Sequence, residues 1–160
     1  MRLCSAMAES ASTFNDVVCG LLLDSGRVLL VRRNSSRAWA PDCWDAPGGH
    51  IEKGESDSDA IRRELLEELC VEVARDDVRV VARLTGRDFD ARVFLVERWT
   101  GSPGNTAPEE HDRIAWFGER EIDGLVLADP DLLEIIVREL RAGDTGLQDK
   151  HRGRNGRHRL

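Results

Sequence analysis

Residues Gly48-Gly49-His50-Ile51-Glu52-Lys53-Gly54-Glu55, followed by Arg63-Glu64-Leu65-Leu66-Glu67-Glu68-Leu69-Cys70-Val71, decide how this chain is read. Ile61, Leu65 and Leu69 recur every fourth residue, which predicts a helix with one apolar stripe. Glu64, Glu67 and Glu68 stand at i, i+3 and i+4, so their carboxylates project from a neighbouring face. Like charges so placed weaken a bare helix. A divalent cation removes that repulsion, and hard oxygen ligands of this kind suit Mg²⁺ or Mn²⁺. The Gly48-Gly49 pair ahead of the helix lets the backbone approach a ligand, with its carbonyl oxygens as further ligands. Ser56 or Asp57 caps the helix, and acidic residues occupy its first turn.

This stretch resembles the Nudix box, G-x5-E-x7-R-E-U-x-E-E-x-G-U with U apolar. Gly49, Glu55, Arg63, Glu64, Leu65, Glu67, Glu68 and Val71 fall in register. Cys70 stands where the family has glycine, a departure costing about 1 kcal/mol if the position is left-handed. The resemblance covers roughly residues 14–142 and implies an α/β/α sandwich with a mixed sheet, in the α+β class. It also implies Glu64, Glu67 and Glu68 as metal ligands, with the Gly48 carbonyl as a fourth. Glu64 and Glu67 are then the catalytic carboxylates, with Glu64 assisting the attacking water, while Arg63 and Glu55 support the loop–helix geometry. A later loop often completes such sites with another acid, for which Glu109 and Glu110 are candidates.

Among subgroups, the flanks look most like MutT-type nucleoside triphosphate diphosphatases. The implied reaction releases monophosphate and pyrophosphate, with dGTP or 8-oxo-dGTP as candidate substrates and Asp129 near the base. Arg32 and Arg33 are expected to leave a strand beside the loop, where arginines suit polyphosphate. Together with Gly49 they form the expected substrate contacts. The absence of tyrosine lowers the diadenosine polyphosphate reading. Gly86 and Arg87, where ADP-ribose pyrophosphatases usually have proline, lower that option. ADP-ribose or a nucleotide-sugar remains an alternative substrate. A non-catalytic nucleotide sensor and an isopentenyl diphosphate isomerase are further alternatives, both disfavoured by the complete set of box carboxylates.

The 160 residues predict one domain, residues 14–143, after a loose lead-in at 1–13 and before a disordered basic tail at 144–160. Apolar content of 41% and charged content of 33% suit a globular, non-membrane protein. A net charge of -7 disfavours nucleic acid as a partner. Cysteines without a C-x-x-C pair, and no apolar run resembling a signal peptide, point to reduced thiols and a cytoplasmic setting. Small domains resembling this one are monomers or homodimers.

Outside the box, apolar runs predict a hairpin from Val17–Leu23 and Arg27–Val31 around a three-residue turn. Strands are expected at 72–84 (broken near Asp76-Asp77), 91–99 and 114–117, and a short helical turn within 118–124. A last helix, capped by Asp129 with Pro130 in its first position, should end near Ala142-Gly143.

Overall fold

A computed structural model of the protein describes the backbone of residues 15–152 and side chains through Asp144. The lead-in at 1–13 and the end of the basic tail lie outside the described residues. Strands β1 (Asn15–Asp24), β2 (Arg27–Arg33), β3 (Trp44–Asp45) and β4 (Gly48–His50) precede helix α1 (Asp57–Leu69). Then come a 3₁₀ turn at Arg75–Asp77, β5 (Val78–Thr85), β6 (Phe89–Val96), β7 (His111–Gly118), α2 (Glu119–Ile122) and α3 (Leu132–Arg152).

The sheet runs β3-β2-β1-β6-β5, with β4 also on β1 and β7 also on β2. β1 and β6 are parallel, with Val17 opposite Ala91 and Leu21 opposite Leu95, and the remaining pairs are antiparallel. A central strand covered on both faces reads as a near-continuous apolar run, and β1 does so. Val18 and Leu22 turn to one side, where Ala60, Ile61, Leu65 and Leu69 of α1 pack. Leu21 joins Ile122, Leu132, Ile136 and Leu140 on the other. The result is the expected three-layer, mixed-sheet arrangement.

α1 lies close on β1, because Gly20 leaves only 3.2 Å between its missing Cβ and Ile61 Cδ1. Burial of Ile61, Leu65 and Leu69, all fully buried, contributes about 2 kcal/mol each. That burial is what holds a helix carrying Glu64, Glu67 and Glu68 together. Ser56 caps it, its Oγ accepting from the Asp59 amide at 3.2 Å.

At the other end Cys70 is left-handed, φ 58° and ψ 37°, with its amide donating to Leu66 O at 3.1 Å. A side chain in that region costs about 1 kcal/mol relative to glycine. Cys70→Gly should therefore raise stability by about 1 kcal/mol, read as a higher urea midpoint at unchanged slope. An unchanged or lower midpoint would mean that the exposed thiol-bearing side chain makes compensating contacts.

Several expectations need correction. The hairpin turn has two residues, Ser25-Gly26, both at positive φ (50° and 71°), with Asp24 opposite Arg27. That is the geometry whose twist matches the strands it joins. Arg32 and Arg33 do not leave β2 but pair across it with Arg113 and His111 of β7. The strand expected at 114–117 is longer for that reason. α3 begins at Leu132, and Asp129 caps the preceding turn, accepting from the Asp131 amide at 3.0 Å. α3 also continues through Gly143 to Arg152, across the first part of the segment expected to be disordered. Glycine inside a helix costs about 1 kcal/mol but retains its hydrogen bond, so it weakens a helix without stopping it.

Candidate active site

The site is built where α1 passes beneath the β4 loop. Arg63 is the hub. Its Nε and Nη2 hold the two oxygens of Glu55 at 2.9 and 3.0 Å, and Nη2 also reaches His50 O at 3.0 Å. Nη1 donates to Glu64 Oε1 at 2.8 Å and Glu67 Oε2 at 3.3 Å. A planar guanidinium in a bidentate pair fixes angle as well as distance, so this residue pins the loop onto the helix. The Glu55 bonds chiefly hold its guanidinium charged far above any accessible pH, while Glu55 itself is pulled below the usual carboxylate range.

Glu64 and Glu68, one helical turn apart, point inward with 9% and 2% exposure, whereas the Glu67 side chain is 58% exposed. The three box glutamates therefore do not share one environment. Glu67 sits on the rim, and the other two lie under the glycine loop. The Gly48 amide donates to Glu68 Oε2 at 2.9 Å. A Cβ on Gly49 would stand 2.5 Å from Glu64 Oε1. Burial pushes the Glu68 carboxyl well up, and the neighbouring Glu64 charge adds to it. Burial also raises Glu64, against the opposing pull of Arg63. Two inward carboxylates on one helix face, each disfavoured as an anion, are a donor set that fits a divalent cation.

The loop after β6 supplies the rest. Its Gly104 and Thr106 amides donate to Leu69 O at 2.9 Å and Glu68 O at 3.0 Å, and Thr106 Oγ1 to Glu67 O at 2.6 Å. These bonds occupy carbonyls at the C-terminal end of α1 and bring Glu110 and His111 to Glu68. Ligand atoms of Glu68, Glu110 and His111 lie within 4.8 Å of one another. Glu110, not Glu109, is the loop acid that reaches the box; Glu109 is exposed. Sequence reasoning does not single out His111. The one available signal is its place at the start of a strand directly after two glutamates. Burial, then the charges of Arg33 and Arg37, pull its imidazole down to about 4, so it is neutral near pH 7.

Arg32 pairs with Asp42 and Asp112, and Arg33 with Asp45 at 3.4 Å, its guanidinium resting 4.7 Å from the Trp39 ring centre. Both arginines are thus engaged within the fold. On the α3 side of the sheet, Trp44 bridges to Leu127, which carries Asp129 toward Asp45 and Cys19. Trp44 itself stands edge-on to Phe117 at 4.7 Å between ring centres, a core contact. Burial pushes the Asp45 carboxyl up to about 6, Arg33 opposing and Asp129 adding to the rise.

A folded-state value above the unfolded one means that the native protein holds the extra proton between about pH 4 and 6. Stability from this group is therefore present at low pH and lost as pH rises through that window. Asp45→Asn should add about 2 kcal/mol at pH 7.5, nothing at pH 3.5, and flatten the profile between. Urea unfolding at the two pH values checks this, and equal effects at both would sink it.

The sequence matches the NUDIX domain family over residues 13–138. It is 30% identical over 135 residues to the nucleoside triphosphatase NudI of an Enterobacter species, spanning 78% of this chain and 96% of that protein. It is 27% identical to an uncharacterised Nudix hydrolase, YvcI, of Bacillus subtilis, spanning 79% of this chain and 82% of that one. The solved MutT Nudix hydrolase of Burkholderia pseudomallei superposes with a TM-score of 0.65 at 25% identity, covering 78% of this chain and 95% of that structure. Among the described residues no helix is long and apolar enough to cross a membrane. With the box in register, two of its carboxylates held under a glycine loop and the domain matched nearly end to end, this chain belongs to the Nudix family and is a MutT-like hydrolase of phosphoanhydride bonds.

Proposed function

We propose that the protein hydrolyses a nucleoside triphosphate to the monophosphate and pyrophosphate, assisted by Mg²⁺ or Mn²⁺. The observation that carries this reading is the inward convergence of Glu64 and Glu68 beneath Gly48-Gly49, with Glu110 brought to Glu68 by the loop before β7. The similarity to a nucleoside triphosphatase along almost its whole length supports the substrate class. Glu64, Glu67, Glu68, Glu110 and the Gly48 carbonyl would hold the cation. When bound, the cation supplies positive charge against the polyphosphate and an acidified water.

The chain's own groups do the remainder. Glu64 accepts a proton from the attacking water, held in place by Arg63 and by the closeness of Gly49. Arg63 and Glu55 keep the loop over the helix. Gly49 lets the phosphate chain approach the backbone, and Arg32 and Arg33 are the basic groups of the adjoining strand. Asp129, beside Asp45 and Cys19, reads the base edge, with dGTP or its 8-oxo form as the first candidates.

A nucleotide panel tests this reading. Pyrophosphate released from one or more nucleoside triphosphates, with ADP-ribose and nucleotide-sugars inert, is the expected result. Turnover of ADP-ribose alone would overturn the triphosphate assignment. Binding without turnover of any nucleotide would overturn catalysis itself.

A further inference from the structure

His111 is among the most enclosed polar side chains of the described residues, 5% exposed, and no hydrogen bond in the fold claims its ring. Nδ1 is buried without a partner. Nε2 faces Glu68 Oε1 at 3.7 Å, too far for a hydrogen bond. That oxygen is itself buried and unpartnered, although the other oxygen of the same carboxylate is bonded to the Gly48 amide. A buried polar atom without a partner costs about 1–3 kcal/mol. Two such atoms, on side chains that face each other across 3.7 Å with the Glu110 carboxylate completing the group, mark a place built for something outside the chain. Two ligands of one cation, bonded at about 2.1 Å, stand about 3–3.5 Å apart. The Glu68–His111 separation is close to that spacing without any rearrangement of the backbone.

The loop geometry makes this a held position. Asn105 Nδ2 donates to His111 O at 2.7 Å, while its Oδ1 accepts from the Ala107 amide at 3.3 Å. The His111 amide donates to Ala107 O at 3.0 Å. The residue is therefore tied through its backbone on both sides, while its ring alone is left unbonded.

From this we infer that His111 is a metal ligand, forming with Glu68 and Glu110 a mixed nitrogen–oxygen site that takes a first-row transition dication such as Mn²⁺ in preference to Mg²⁺. Imidazole nitrogen suits the transition metals, whereas Mg²⁺ is held by oxygen alone. The inference deepens the hydrolase reading and shares its carboxylates, but its test needs no substrate.

The measurement is pulsed electron paramagnetic resonance of untagged full-length protein loaded with Mn²⁺, reading the nitrogen coupling of a directly bound imidazole. The chain has four histidines, His50, His111, His151 and His158. A His50→Gln, His151→Gln, His158→Gln chain leaves His111 alone and touches none of the three proposed ligands. That chain should keep the coupling. His111→Gln should lose it, with Mn²⁺ affinity falling about tenfold and Mg²⁺ affinity less than about threefold. No coupling in the wild type, coupling that disappears from the His111-only chain, or coupling that persists in His111→Gln would each overturn the assignment. A buried water in place of the metal gives the first of these results. Nucleotide turnover without nitrogen coupling would sink the histidine ligand and leave the hydrolase standing. Coupling without turnover would do the reverse.

Discussion

Glu68→Gln should abolish most of the hydrolysis, lowering kcat about a thousandfold, while raising the unfolding temperature of the metal-free protein by about 4 °C. The two signs are opposite for one reason. Glu68 is buried to 2% exposure, its Oε1 has no partner, and the Glu64 carboxylate lies one turn away on the same face. Its carboxyl is held well above the ordinary value by burial first and by Glu64 second. Such a group contributes stability while protonated and loses it as pH rises from the unfolded value upward. At pH 7.5, well above the unfolded value, the metal-free protein therefore bears the cost of this carboxyl, as a buried charge or as a proton taken up on folding, and a neutral amide removes it. The lost activity has no such offset, because an amide is a poor ligand for a hard cation.

Added divalent cation should act on the wild type through the same carboxyl. Metal binding favours the ionised carboxylate, so its stabilising effect should be larger at about pH 8 than at about pH 6 and be largely absent in Glu68→Gln. Scanning calorimetry at both pH values, with Mg²⁺ and with chelator, reads all four corners. A variant that loses stability in chelator as well as activity would make Glu68 a packing residue. A variant that retains full metal-dependent turnover would remove the proposed mechanism.

Most of the box is legible in the sequence because its geometry is local. Helical spacing alone places Ile61, Leu65 and Leu69 on the sheet, where all three are buried, and Glu64, Glu67 and Glu68 on the neighbouring face. What the spacing cannot give is depth. Glu67 differs from its neighbours only by facing the rim, which depends on where the β4 loop lies. The loop acid is ambiguous for a similar reason. Glu109 and Glu110 are adjacent and chemically identical, and only the docking of Gly104 and Thr106 on α1 decides which one turns inward. His111 stays hidden because a histidine's role is set by neighbours distant in sequence, here Glu68. β3 and β4, two and three residues long, carry no readable period. They exist because β1 and β2 offer them edges to pair with.

The adjacent glycines should separate stability from activity when each is given one methyl group. A Cβ on Gly48 would stand 2.0 Å from Val18 O and 2.7 Å from Cys19 Cα, both backbone atoms of the central strand. Neither can move without breaking the β1–β4 pairing, in which Cys19 lies opposite Gly48. Gly48→Ala should therefore cost about 3 kcal/mol, at the upper end for overpacking, and lower activity mainly through the folded fraction. A Cβ on Gly49 meets instead the carboxylate of Glu64, at 2.5 Å from Oε1 and 2.7 Å from Cδ. That is the end of a side chain that can rotate away. Gly49→Ala should then cost less than about 1 kcal/mol in stability. Displacing the carboxylate by about 1 Å from its bond to Arg63 should nevertheless lower kcat about a hundredfold. Urea midpoints and kcat for the two variants, measured side by side, give the contrast directly. Equal stability losses would mean that Glu64 cannot move, and unimpaired turnover in Gly49→Ala would mean that its position does not matter to the chemistry.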